Sequence, residues 1–142
     1  MKIFVAQFYV EVGCDYSLSN HFHHRISDEL TRRVVPSAAF VNKYAEDFKL
    51  MFRMSAKSGL VEPEVRGPMV FKKDKDVEYS IFLPFDLDRP LGPSVYRHAL
   101  KQLLGQIIIV LTSLQMDVSQ LSQSVDEIIE RIVADPKMFQ FN

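Results

Sequence analysis

The chain has 142 residues, 47% of them hydrophobic and 25% charged, with 17 Lys and Arg set against 18 Asp and Glu. That length suits one domain whose core buries roughly two thirds of the unfolded surface, and the composition excludes a disordered segment. A net charge of -1 gives no general attraction to nucleic acid or to an anionic membrane, so any basic face has to be local.

The single cysteine, Cys14, excludes an intramolecular disulfide and gives no sign of an oxidising compartment. The opening run MKIFVAQFYVEV alternates, carries Gln7 and Glu11, and lacks a small-x-small cleavage site, which is unlike a signal peptide. The longest apolar stretch elsewhere, Ile107 to Leu111, is far short of a membrane span. A cytoplasmic protein is expected.

In chain order, the first segment reads as a strand. Phe4, Ala6, Phe8, Val10 and Val12 point one way, and Ile3, Val5 and Tyr9 the other, which suits a central strand. A helix follows, capped by Ser19 and ending before Pro36, with Phe22, Ile26, Leu30 and Val34 on one stripe. Pro36 to Glu46 reads as a loop with a short helix around Ala38 to Tyr44. Phe48, Leu50, Phe52, Met54 and Ala56 then alternate with Lys49, Met51, Arg53 and Ser55, the pattern of an antiparallel strand with one face wet.

Two prolines and a glycine between Glu62 and Pro68 predict an irregular connection or a poor edge strand. Met69 to Lys72 and Val77 to Pro84 read as a hairpin around the tip Lys73 to Asp76. Asp86 to Pro93 is a loop. The last third is helical: Tyr96, Leu100, Leu103, Ile107, Leu111 and Leu114 form one stripe, widened by Leu104, Ile108, Ile109 and Val110. Asp117 and Gln120 suggest a capping box for a final helix, whose core face is Val118, Leu121, Val125, Ile128, Ile129 and Ile132. These elements predict one α+β domain over residues 1–142: a mainly antiparallel sheet of three to four strands, packed by one N-terminal helix and two C-terminal helices.

Few residues invite chemistry. His21, His24 and Asp28 fall on one side of the first helix at spacings that suit a shared metal, with His23 beside them and His98 distant. No HExxH pattern and no second cysteine accompany them, and an exposed polar face explains them as well. Cys14 near His21 and His23 raises a Cys–His nucleophile, although a lone cysteine is more often a packing residue. Asp86 and Asp88, like Glu62 and Glu64, are paired carboxylates of the kind that serve acid–base work only when burial or a like charge shifts one of them. The five glycines are scattered singly, so neither phosphate-binding glycine pattern is present. Lys72, Lys73 and Lys75 alternate with Asp74 and Asp76, which cancels the field an RNA contact needs. Met51, Met138, Phe139 and Phe141 mark either a protein-binding patch or a further packed surface.

Three segments, YSIFLPFD from Tyr79, YRHALKQLLGQIIIVL from Tyr96 and VDEIIERIVADPKMFQF from Val125, join the strand FKLMFRMSAK in a pattern over the last two thirds of the chain. It resembles the small immunity proteins of bacterial contact-dependent growth inhibition and related polymorphic toxin systems. The resemblance implies a cofactor-free, non-enzymatic protein that binds and neutralises the C-terminal domain of a cognate toxin, in such systems often a nuclease. It also implies no direct nucleic-acid or membrane contact, and a monomer or weak dimer. The near-neutral charge argues against simple charge mimicry and toward shape, apolar anchors and local charge pairs. The candidate partner-binding residues are the charged positions expected in loops and turns: Glu62, Glu64, Lys73, Asp74, Asp76, Asp86 and Asp88. A small metal-dependent hydrolase using His21, His24 and Asp28, and a chaperone or adaptor for a secreted effector, are the rival readings.

Overall fold

A computed structural model describes residues 2–9, 16–37, 49–57, 59–71, 76–84 and 93–134, with side chains for most of them. Strand β1 (Lys2–Tyr9) is followed by helix α1 (Tyr16–Arg33), then by strands β2 (Lys49–Lys57), β3 (Glu64–Phe71) and β4 (Asp76–Pro84). Helices α2 (Pro93–Ser113) and α3 (Ser119–Val133) complete the order. The α+β class, with one N-terminal and two C-terminal helices, is as the periodicities predict. The short helix expected over 38–44 lies outside the described residues, and so does the loop from Asp86 to Leu91.

The four strands form one sheet in the order β1-β2-β4-β3. Here the expectation of a mainly antiparallel sheet is corrected. β1 pairs with β2 in parallel, β2 pairs with β4 in parallel, and only β3 and β4 run antiparallel. The parallel first pair follows from the helical crossover α1, since a long helix between two strands returns the chain to its starting end. β3 takes the far edge and leaves a place beside β2 into which β4 returns, so β4 runs parallel to β2. Alternation along β2 reports that one face is wet; strand direction is a separate matter set by connections. β1, expected to be central, takes the other edge of the described sheet, since an alternating apolar pattern does not encode backbone neighbours.

All three helices join the same face of the sheet in one apolar core. Leu50, Phe52 and Met54 of β2, and Val77, Tyr79, Ile81 and Leu83 of β4, meet Ile26, Leu30 and Val34 of α1 and the stripe from Tyr96 to Leu111 of α2. Phe52 and Tyr79 are cross-strand partners whose rings stack at 5.9 Å, an arrangement that adds to simple area burial. α3 contributes Leu121, Ile128, Ile129, Ile132 and Val133. Ile109 departs from the predicted stripe, standing 61% exposed on the outer side of α2.

Polar contacts fix the helices in register. Thr31 Oγ donates to the Ile3 carbonyl at 2.7 Å, pinning α1 to β1. Val35 and Asp117 exchange backbone hydrogen bonds, tying the end of α1 to the α2–α3 turn. The capping box expected at α3 is replaced by a tighter arrangement: the helix opens after Val118, and the Asp117 carboxylate accepts from the Ser119 N–H and hydroxyl. Those two bonds hold the Asp117 carboxyl below its usual range.

Glu29 is the junction between α1 and α3. It pairs with Arg32 and Arg33 at 2.6 Å each and with Arg131 at 3.5 Å, while Arg33 donates to the buried Ser124 hydroxyl. Burial pushes the Glu29 carboxyl up, but the hydrogen bonds and charges of Arg33 and Arg32 outweigh it, and the group is held below 4.5. A carboxyl lowered by folding contributes stability above its unfolded value, and that contribution disappears as pH falls through the folded value. Urea midpoints of the wild type and Glu29→Gln should therefore differ at neutral pH and converge below 4.5. A gap that stays constant into acid would mean that Glu29 carries no such linkage.

A second prediction concerns backbone approach. At Gly67, φ is +133° and an added Cβ would stand 2.9 Å from the Glu78 carbonyl oxygen, whereas an added Cβ at Gly105 of α2 meets nothing within 4 Å. Gly67→Ala should cost about 1–3 kcal/mol, and Gly105→Ala should add about 0.5–1 kcal/mol, both read from chemical denaturation. Effects of the same sign would show that Gly67 does not lie against β4.

Candidate protein-binding face

The sheet face away from the core is covered by none of the described helices. Register makes it a lattice. Cross-strand partners share a face, so three rows run over β2, β4 and β3: Met51–Glu78–Met69, Arg53–Ser80–Arg66 and Ser55–Phe82–Glu64, with Lys57 beside Pro84 beyond them. Met51, Arg53, Ser55, Ser80, Phe82 and Glu64 are half-buried, and Lys57, Arg66 and Met69 are exposed.

Two ion pairs form on this face among the described residues. Glu78, only 6% exposed, forms an ion pair with Arg53. Arg66 pairs with Glu64 at 3.3 Å and lies over the Phe82 ring with its guanidinium carbon 4.9 Å from the centroid. Lys57 approaches the same ring, Nζ 5.6 Å from the centroid, and has no carboxylate partner among the described residues. Two cations on one ring each gain on the order of 0.5–1 kcal/mol at an exposed site.

At its outer edge the face ends in β3, where Val65, Met69 and Val70 are exposed large apolar residues. A free edge invites strand addition, but β3 obstructs it. Its register breaks between Arg66 and Met69, and Pro68 has no N–H to offer. Side chains on the face, rather than the edge backbone, are what β3 presents to a partner.

The positions predicted for partner binding distribute unevenly. Glu64 lies on this face, paired with Arg66. Glu62 is exposed in the bend before β3, and Asp76 opens β4 opposite Phe71. Lys73, Asp74, Asp86 and Asp88 lie outside the described residues, as does Cys14. Of the histidine cluster, His24 and Asp28 are exposed on α1 and His98 is exposed on α2, while the side chains of His21 and His23 are not described. No group of three or more His, Cys, Asp or Glu side chains suited to a metal forms among the described residues. Sequence reasoning missed Arg53, Lys57, Arg66, Glu78, Ser80 and Phe82. Their alternation along β2 and β4 was visible, but their convergence required the β2–β4–β3 register.

No helix among the described residues is long and apolar enough to cross a membrane. No known protein family, curated protein or solved structure matches the chain.

The Arg53–Glu78 pair makes a direct prediction. Removing one partner of a buried pair leaves the other charge uncompensated, whereas replacing both with apolar side chains of similar size is often neutral. Arg53→Met should cost roughly 3 kcal/mol, an upper bound because Arg53 is partly exposed. The double variant Arg53→Met/Glu78→Met should return to within about 1 kcal/mol of wild type. Additive losses in a double-mutant cycle would show the two residues to be uncoupled.

Proposed function

We propose that the chain is an immunity protein: a cytoplasmic, non-enzymatic partner that binds and neutralises a cognate toxin domain through a stoichiometric interface. The observation that carries this reading is the sheet face that none of the described helices covers. Apolar anchors Met51, Met69 and Phe82 stand among ion pairs already formed within the chain, on a rigid support whose other side is a dry core. Such a surface suits another folded protein, since aromatic, Met and Arg side chains are those enriched where proteins meet. The family resemblance of the strand and helix segments adds the kind of partner, a delivered toxin.

Local pairing also bears on how neutralisation works. A near-neutral inhibitor gains little from long-range attraction to a cationic nuclease groove, so shape and apolar contact supply most of the affinity.

The test is co-purification with the C-terminal domain encoded immediately upstream, followed by a dissociation constant and by rescue of cells expressing that domain. One-to-one binding near nanomolar, about -12 kcal/mol, together with rescue is the expected result. Absence of both binding and rescue would remove the immunity reading.

A further inference from the structure

From the charge balance of the β2–β4–β3 face we infer that its occupant is an acidic, apolar-flanked protein surface whose carboxylates lie against Arg66 and Lys57. This deepens the immunity reading and rests on it. Around Phe82 the face carries three cations, Arg53, Lys57 and Arg66, and two carboxylates, Glu64 and Glu78, while Lys49 and Asp76 lie toward its other end. Glu78 is buried and consumed by Arg53, and Glu64 serves Arg66 at the rim. Lys57 is the cation of this group that no carboxylate among the described residues pairs.

The Lys57 charge has a fixed position. The Phe82 ring holds the Lys57 ammonium and the Arg66 guanidinium on one short stretch of surface, 5.6 and 4.9 Å from its centroid. Lys57 stands on the β2 side of Phe82 and Arg66 on its β3 side, so each offers donors to a carboxylate of an incoming surface, with Glu64 shared between solvent and Arg66. Arg66 supplies the planar fork that takes a carboxylate by two parallel bonds, and Lys57 supplies a mobile point charge. Met69, exposed one row below, asks for apolar neighbours beside that carboxylate.

Nucleic acid is the less suitable occupant. Affinity for a phosphate backbone grows with the number of phosphates neutralised, and Lys57 and Arg66 with Glu62 and Glu64 nearby neutralise too few. A partner protein needs only one or two well-placed charge pairs, because electrostatics there sets orientation and specificity while apolar contact sets affinity.

The test uses the full chain labelled with nitrogen-15 and three probes: a synthetic peptide alternating Glu with Leu, a matched peptide of Lys with Leu, and a single-stranded DNA oligonucleotide. The Glu peptide should shift amides in 51–57, 64–69 and 78–84, and the other probes should not. Lys57→Gln/Arg66→Gln should weaken that response ~tenfold or more while keeping the dispersed amide spectrum of the folded protein, and Lys57→Glu/Arg66→Glu should abolish it. If the charge-reversed protein fails to fold, the Gln variant carries the comparison. A stronger response to the Lys peptide or the oligonucleotide, shifts elsewhere, or no shift with any probe would overturn the inference. Concentration-dependent self-association that moves the same amides would also overturn it, assigning the face to a second copy. Full rescue of toxin-expressing cells by Lys57→Gln/Arg66→Gln would remove the acidic contact while leaving immunity intact. Glu-peptide binding without rescue by the wild type would do the reverse.

Discussion

The parallel pairing of β2 with β4 is the constraint from which the rest of this architecture follows. It brings Leu50, Phe52 and Met54 against Val77, Tyr79, Ile81 and Leu83 on one side, a continuous apolar sheet centre that has to be covered. Helices α1, α2 and α3 cover it from that side alone. The same register sets Arg53, Ser55 and Met51 beside Glu78, Ser80 and Phe82 on the other side. One backbone relation therefore fixes both the apolar core and the composition of the face that the described helices leave free. A slip of one residue would exchange the two sets, placing charges in the core.

Holding three helices on one face requires more than apolar contact, which is non-directional. The helical layer is oriented by a few directed bonds: Thr31 to the β1 backbone, Arg33 to Ser124, and the Val35–Asp117 bridge. Arg97 adds a two-pronged contact to Glu130 between α2 and α3. Each of these is modest in net free energy, about 0.5–1.5 kcal/mol for an ordinary hydrogen bond. Their importance is that they select one arrangement among several with similar apolar burial, so the sheet beneath is held in one shape. A rigid sheet keeps the side chains of its open face at fixed spacings, which lowers the ordering cost of any contact made there.

Which parts of this were legible in the sequence follows from what periodicity encodes. The stripes of α1, α2 and α3 and the buried set of β2 and β4 were readable because a spacing of two or four residues reports directly which side chains face the core. Ser124 escaped notice because a small hydroxyl residue on a core stripe looks polar until an arginine from another helix reaches it. Strand direction and the order β1-β2-β4-β3 were not readable, since both depend on how connections travel through space. The candidate face was lost for the same reason. Glu64 was singled out as a loop charge, yet its neighbours Phe82 and Arg66 belong to the site only through the β3–β4 register. No local pattern announces that Lys57, Arg66 and Phe82 meet.

The state of the charges before any partner arrives decides what this face is good for. An unpaired buried carboxylate at Glu78 would be costly, and Arg53 removes that cost within the chain. Arg66 is likewise held by Glu64 and by the Phe82 ring, so its guanidinium enters a complex with part of its freedom already lost. Contact then requires little reorganisation, and the apolar area of Met51, Met69 and Phe82 becomes the main source of affinity. Two exposed ion pairs contribute roughly 0–1 kcal/mol each in water, too little to hold a complex alone but enough to penalise a partner of the wrong sign. In the proposed complex, specificity would come from the Lys57 and Arg66 charges beside Phe82, and affinity from the apolar residues around them.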